Sequence, residues 1–388
     1  MKMDDRKSIP IAKPDLNGCE EQYVLKALRS TWISSSGEFL DSFEEEFATL
    51  CDAGTAIGVC NGTIALHLAL LALDVRPGDE VLVPSLTYIA TANAVRYVGA
   101  EPVFVDVDPT TWCIDPDKLE EQITPRTRGI IGVHLYGHPA DMDRINHLAA
   151  IHGLWVVEDA AEAHTARYKN RLVGSLAKVA TFSFFGNKIL TSGEGGALTL
   201  NDPQLAKRMR ALRGQGMDPQ RRYYFPIVGY NFRMTNIAAA ILCAQIERVD
   251  ELLGRRKAIC EQYRSLLDGV PGIGFQPKAS WADPAPWMFC LTVDTEEFGM
   301  SRDELISYLG KRKVETRPFF IPLHTMPPYR ESSQARHTDL PITDQLSRVG
   351  MNLPTYSGLQ ESEVEFIATS IHQAHRTTLT RGVRLRAA

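Results

Sequence analysis

The chain has 388 residues, 44% hydrophobic and 23% charged, with a formal net charge of −5. That balance is ordinary for a globular protein and excludes disorder, a fibre, and a general electrostatic hold on nucleic acid or an anionic membrane surface. A single core stops growing at roughly 250 to 300 residues, so two domains are expected, 1–250 with an N-terminal segment 1–35, and 251–388.

The first ten residues, MKMDDRKSIP, carry charges of both signs and no apolar stretch, so no secretory signal is read there. The run IALHLALLAL from Ile64 to Leu73 is too short for a membrane span. Seven cysteines stand at 19, 51, 60, 113, 243, 260 and 290 without a C-x-x-C pair, as expected of reduced thiols in a cytoplasmic protein that holds no zinc. A small-molecule ligand is the expected partner.

From about residue 20 to 200, helical patterns alternate with short β-branched runs, the signature of an α/β fold with a mainly parallel sheet. Leu40, Phe43, Phe47 and Leu50 recur at spacings of three and four and predict an amphipathic helix. Strands are expected at 56–60, 81–83, 102–108, 129–135, 154–159, 179–185 and, turning back, 195–200. A long helical region starts at Thr235 as N-cap and places Ile237, Ile241, Ala244, Val249 and Leu252 on one face. Beyond it, strands at 289–293 and 314–317 and helices at 301–312 and about 361–376 predict a small α/β domain.

Several segments carry chemistry. In CNGTIALHLALLAL, Gly62 and Thr63 join a strand to an apolar helix, which offers free N–H groups and a positive helix end to a phosphate; the plain alternative is a glycine turn with Thr63 as cap. No G-x-x-x-x-G-K-[ST] occurs, and GEGG at 193–196 lacks the spacing of a dinucleotide loop. Asp159 ends the strand LWVVED, where ligands of open α/β sheets sit, although a helix-capping aspartate fits as well. His134 and His138 have H-x-x-x-H spacing but straddle a strand end with Gly137 between them, a poor metal pair.

Lys188 lies in FSFFGNKILTSGEGG, between an apolar strand and a glycine cluster that leaves room for backbone or ligand. A desolvated lysine can form a Schiff base, an aspartate can keep a pyridine nitrogen protonated, and a helix N-terminus can hold a phosphate. Those are the requirements of pyridoxal 5'-phosphate (PLP), with Tyr88 in PSLTYIATANA as the aromatic side chain against its ring.

The motifs NGTIALHLAL, GDEVLVPSLTYIATANA, PVFVDVDP, HLYGHPADMD, VVEDAAEAH, FSFFGNKILTSGEGG, GYNFRMTNIAAA and RPFFIPLHTMPPY, in this order from Ile9 to the last helix, resemble the DegT/StrS-type sugar aminotransferases. The resemblance implies PLP fold type I: a large domain with a mainly parallel seven-stranded sheet flanked by helices, and a small C-terminal α/β domain. It also implies Lys188 as Schiff-base lysine and proton carrier, Asp159 on the pyridine nitrogen, Tyr88 on the ring, and Gly62, Thr63 and Ser183 on the phosphate.

Asn231 would cross a homodimer interface to the neighbour's phosphate, so active sites would be shared, with pairing of dimers into tetramers left open. Glu162 matches a position near the cofactor hydroxyl, and His164 receives no role. Together with WISSSG, RGQGMDP and ETRPFF, Glu162 resembles the branch that takes an amino group from L-glutamate, through pyridoxamine 5'-phosphate, to C4 of GDP-4-keto-6-deoxy-D-mannose.

Sugar and nucleotide contacts are expected from Trp32, Ser34, Ser35, Arg213, Phe320 and His324, with simple packing as the alternative for Trp32 and Phe320 and helix capping for Arg213. The same scaffold could act on a dTDP- or UDP-linked sugar, or serve as a regulator without turnover. A 3-dehydratase of this type would carry histidine where Lys188 stands.

Overall fold

The computed structural model describes residues 7–386; residues 1–6, on which part of the reading of the N-terminus rests, lie outside the described residues. Seven strands form the main sheet: β1 Thr55–Val59, β2 Glu80–Pro84, β3 Glu101–Val105, β4 Thr127–Val133, β5 Trp155–Asp159, β6 Val179–Ser183 and β7 Gly196–Leu200. Their order is β1-β7-β6-β5-β4-β2-β3, parallel except that β7 runs against both neighbours. The expected α/β fold with a mainly parallel seven-stranded sheet is what the chain adopts, and Lys188 lies in the connection between β6 and β7.

Successive side chains of a strand point to opposite faces, and here both faces are covered. Val81, Val83, Ile131, Val157, Val179 and Leu198 pack against the helices Gly62–Ala72, Ala90–Tyr97 and Pro203–Arg213. Their neighbours Leu82, Ile130, Val156, Ala180, Phe182 and Ala197 pack against the helices Glu38–Leu50, Met142–Ile151 and Asn236–Glu247. The strands therefore read as continuous apolar runs, and the Gly62–Ala72 helix is apolar on most sides because the sheet and two helices enclose it.

A second, antiparallel sheet has the order β8-β9-β11-β10, with β8 Ile273–Phe275, β9 Phe289–Val293, β10 Arg317–Pro318 and β11 Gly350–Leu353. Its core joins Leu291, Met351 and Leu353 to Tyr263, Leu305 and Ile367 from three helices. Ile9 packs into this same core and bridges to Val314, so the start of the described chain runs with the C-terminal elements rather than with the main sheet.

Three local expectations need correction, and four elements were not expected. The helical region from Thr235 is two helices, Asn236–Glu247 and Val249–Leu267, broken at Arg248, whose guanidinium is held by Asp15 and Glu251. Ile237 and Ile241 are only half-buried, and the small residues Ala239, Ala240 and Cys243 carry the buried face, where they let neighbouring helices approach closely. The strand expected at 314–317 shrinks to Arg317–Pro318, because Val314 pairs with Ile9 instead. The helices Glu20–Ser30, Pro327–Ala335 and Pro341–Val349 and the strand β11 went unpredicted; β11 is four residues long and buried throughout, too short for a period to show.

Candidate active site

The carboxyl ends of β2, β4, β5 and β6, the start of the Gly62–Ala72 helix and the loop carrying Lys188 converge on a cavity of about 410 Å³. It is lined by Gly62, Thr63, Tyr88, Asp159, Glu162, Ser183, Lys188 and Phe320 among others. Eight of the residues singled out in the sequence thus share one space, although they are spread over 259 positions, from 62 to 320.

Asn61, not Thr63, caps the helix: its Oδ1 accepts from Ile64 N at 2.9 Å. The N–H groups of Gly62 and Thr63 belong to the first turn, which has no intrahelical partner to offer them. Gly62 is required by close approach, since a Cβ there would lie 2.7 Å from Ser183 Cβ. At Gly196 a Cβ would lie 2.4 Å from the Asn61 carbonyl carbon. These glycines press the strand ends against the helix end, so at Gly195 and Gly196 the space is filled by backbone and side chains rather than left for a ligand. Gly186 and Gly193 do face open space, and Gly193 also needs its positive φ of 83°.

Lys188 is largely but not fully buried, its side chain 11% exposed, with Nζ 4.1 Å from the Trp287 ring centre and 4.0 Å from Glu162 Oε1. Burial pulls its amine below the ordinary lysine range, opposed by the charges of Glu162 and Asp159. Glu162 accepts the Tyr136 N–H at 2.8 Å, and burial raises its carboxyl to about 7, opposed by Lys188. Tyr136 holds that N–H in place from a left-handed backbone conformation, φ 53°, with its own ring buried and stacked on Phe320 at 5.6 Å.

Asp159 has no helix to cap; a turn follows β5. Its Oδ2 accepts from Thr91 Oγ1 at 2.7 Å and its Oδ1 only from Ala161 N at 3.3 Å. Burial raises its carboxyl, and the Thr91 hydroxyl opposes the rise. A buried carboxylate with so few donors favours a cationic or N–H-bearing partner. His134 and His138 are structural: His134 Nδ1 accepts from Ala140 N, so Nε2 carries the proton toward Glu158, and His138 Nε2 accepts from Ala279 N. No group of three or more metal-ligating side chains occurs among the described residues.

Six expected residues stay outside the cavity. Arg213 is tied to Glu44 at 2.6 Å and the Gly58 carbonyl at 2.8 Å, clamping the helix Glu38–Leu50 to β1. His324 is buried against Ser85 Oγ at 2.8 Å and supports the loop after β2 from behind. Trp32, Ser34 and Ser35 lie on the loop before Glu38–Leu50, where Trp32 is 61% exposed and Asn236 donates to the backbone carbonyls of Trp32 and Ser34. Asn231 is exposed and accepts from Arg233 Nε.

The model of the DegT/DnrJ/EryC1/StrS aminotransferase family matches residues 14–372. The chain belongs to this family. The aminotransferase is 49% identical over 372 residues to GDP-perosamine synthase of Caulobacter vibrioides, covering 96% of this chain and 99% of the relative. It is 44% identical over 367 residues to GDP-perosamine synthase of Escherichia coli O157:H7, covering 95% and 98%. Among solved structures, S. venezuelae DesV superposes with a TM-score of 0.84 at 38% identity, covering 92% of this chain and 94% of that one.

Sequence reading missed part of the aminotransferase's cavity wall. Trp287, Arg317 and Asn352 reach it from the second sheet and its approaches, and Thr91 and Tyr136 come from the elements around the main sheet. Thr91 and Tyr136 sit inside quoted motifs, which was a usable signal, whereas Trp287 and Asn352 come to line the same cavity as Lys188 only through folding.

Proposed function

We propose that this aminotransferase binds PLP and transfers the amino group of L-glutamate to C4 of GDP-4-keto-6-deoxy-D-mannose, yielding GDP-perosamine and 2-oxoglutarate. One observation carries the reading: a largely buried lysine whose charge is disfavoured, a buried under-bonded aspartate and the open first turn of a helix meet in one cavity. The near full-length likeness to two GDP-perosamine synthases supports the choice of substrate.

The residues present fit the cofactor. The Gly62 and Thr63 N–H groups with Ser183 Oγ would hold its phosphate, Asp159 its ring nitrogen, and Tyr88 its ring face. When bound, PLP supplies a carbonyl carbon and an electron-withdrawing ring that carry an amino group between donor and acceptor. Burial beside Trp287 keeps Lys188 able to act as a neutral amine, and its Nζ moves a proton at C4 of the sugar. Tyr136, Phe320 and Trp287 wall the site against water.

The reading includes a homodimer. Asn231 is exposed and outside its own cavity, and Tyr223, Phe225 and Val228, three to eight residues before it in the chain, expose apolar surface of the kind a partner covers. Mixing inactive Lys188→Ala with inactive Asn231→Ala protein should restore activity through hybrid dimers; no recovery would count against a shared site. The substrate is tested by offering a panel of GDP-, dTDP- and UDP-linked 4-keto-6-deoxy sugars with glutamate and identifying the product by mass and proton couplings. Amination of the GDP-mannose-type ketone is expected, and exclusive use of a dTDP- or UDP-linked ketone would overturn the assignment.

A further inference from the structure

Lys188 must lose a proton before it can act as nucleophile or base, and a buried site offers few places for that proton to go. Glu162 Oε1, 4.0 Å from Nζ, is the facing acceptor, and the other oxygen of the same carboxyl is fixed by the Tyr136 N–H. That fixture leaves Oε1 free to serve the amine, and Trp287 on the lysine limits where Nζ can move. The 4.0 Å gap is longer than a hydrogen bond; rotation of the lysine terminus or one bridging water closes it.

We propose that Glu162 is the proton partner of Lys188, a positioning residue that takes the proton from the ε-ammonium and returns it, so that the pair keeps one proton between them. In the forward step an N–H bond of Lys188 breaks and an O–H bond of Glu162 forms. A charged pair becomes a neutral amine and a carboxylic acid, with no proton released to solvent. The inference rests on the role of Lys188 proposed above and adds the group that sets when its amine is free.

The surroundings favour the exchange. A salt bridge removed from water gains little over its neutral form, because desolvation penalises both charges. Burial raises the Glu162 carboxyl and lowers the Lys188 amine, bringing two groups that normally titrate far apart toward each other. The other titratable groups facing the pair are Asp159, Tyr136, Cys113, Cys290 and His164, with Arg317 lining the same cavity. The thiols and the phenol are pushed up and His164 is pushed down to about 3, so these four stay neutral near pH 7. Asp159 remains as the second negative group acting on Lys188.

The test reads the amine itself. Cofactor-free full-length protein is pulsed with acetic anhydride across the range in which an amine titrates, and acetylation of the Lys188 peptide is followed by mass spectrometry. Glu162→Gln keeps the size and the acceptor for the Tyr136 N–H but removes the charge. It should move the midpoint of Lys188 acetylation down by about one pH unit or more. A midpoint unchanged from wild type overturns the proposal.

The reciprocal variant guards against a Gln protein that fails to fold. In Lys188→Ala the Glu162 carboxyl loses its cation and should titrate at higher pH, read from its C=O stretch in difference infrared spectra. No movement there also overturns the proposal. Both readouts are independent of substrate, so a failed sugar panel leaves them standing.

Discussion

Glu158 and Asp159 are neighbours on β5, both acidic and both buried, yet the fold treats them in opposite ways. Glu158 points away from the cavity and collects the N–H groups of Gly174 at 3.0 Å, Leu176 at 2.8 Å and Ala177 at 3.0 Å, plus His134 Nε2 at 3.1 Å. Asp159 points into the cavity and has one hydroxyl and one long amide contact. Strand alternation alone separates them. A buried carboxylate whose bonds are complete holds the fold, and one whose bonds are incomplete awaits a ligand.

Substitution should split the two cleanly. Asp159→Asn removes a charge that few local groups depend on, so turnover should fall about a hundredfold or more while unfolding in denaturant moves by less than about 1 kcal/mol. Unchanged turnover would remove Asp159 from the chemistry. Glu158→Gln instead turns one acceptor oxygen into a donor facing N–H groups, and should cost about 2 to 3 kcal/mol of stability. Turnover per folded molecule should change little. If Glu158→Gln proved neutral to stability, completeness of hydrogen bonding would not be what distinguishes the pair.

A smaller perturbation sharpens the contrast. Thr91→Val removes the hydroxyl that holds Asp159 Oδ2, and since that bond favours the ionised form, the carboxyl should titrate still higher. About tenfold lower turnover, with recovery toward higher pH, is expected in a pH–rate profile. A profile superimposable on wild type would mean that Ala161 N alone suffices.

The main sheet was legible because its strands are apolar on both faces and separated by turn residues, and all seven occur within a few residues of their expected places. Lys188, Asp159 and Gly62 were legible because each terminates or follows such a strand. Arg213 was misplaced for an instructive reason: a basic residue in a glycine-rich stretch suggests a ligand site, but its partner Glu44 is 169 positions away. Trp287 gave no local sign, since what matters is its position over Lys188, set by packing between the two sheets. Sequence pattern reports what a residue is and which element carries it, and loses the contacts made across long separations.

Glu162 allows the comparison to be tested through stability alone. Its carboxyl titrates near 4.5 in the unfolded chain and about 7 when folded, so between these values the folded state binds more proton. Its contribution to stability is therefore complete below about pH 4.5 and is lost as pH rises through about 7. His164 and His138, pushed down to about 3 and about 4, work the other way: their unfolded forms bind more proton until pH passes about 6.5, so they add stability as pH rises. The wild-type curve mixes both trends, and only its difference from Glu162→Gln isolates the carboxyl. That difference should favour the Gln variant increasingly from pH 4.5 to 7, by an amount on the order of 1 kcal/mol once the charge on Lys188 is allowed for. A flat difference would mean that Glu162 is ionised throughout, as fully served in the fold as its structural neighbour Glu158.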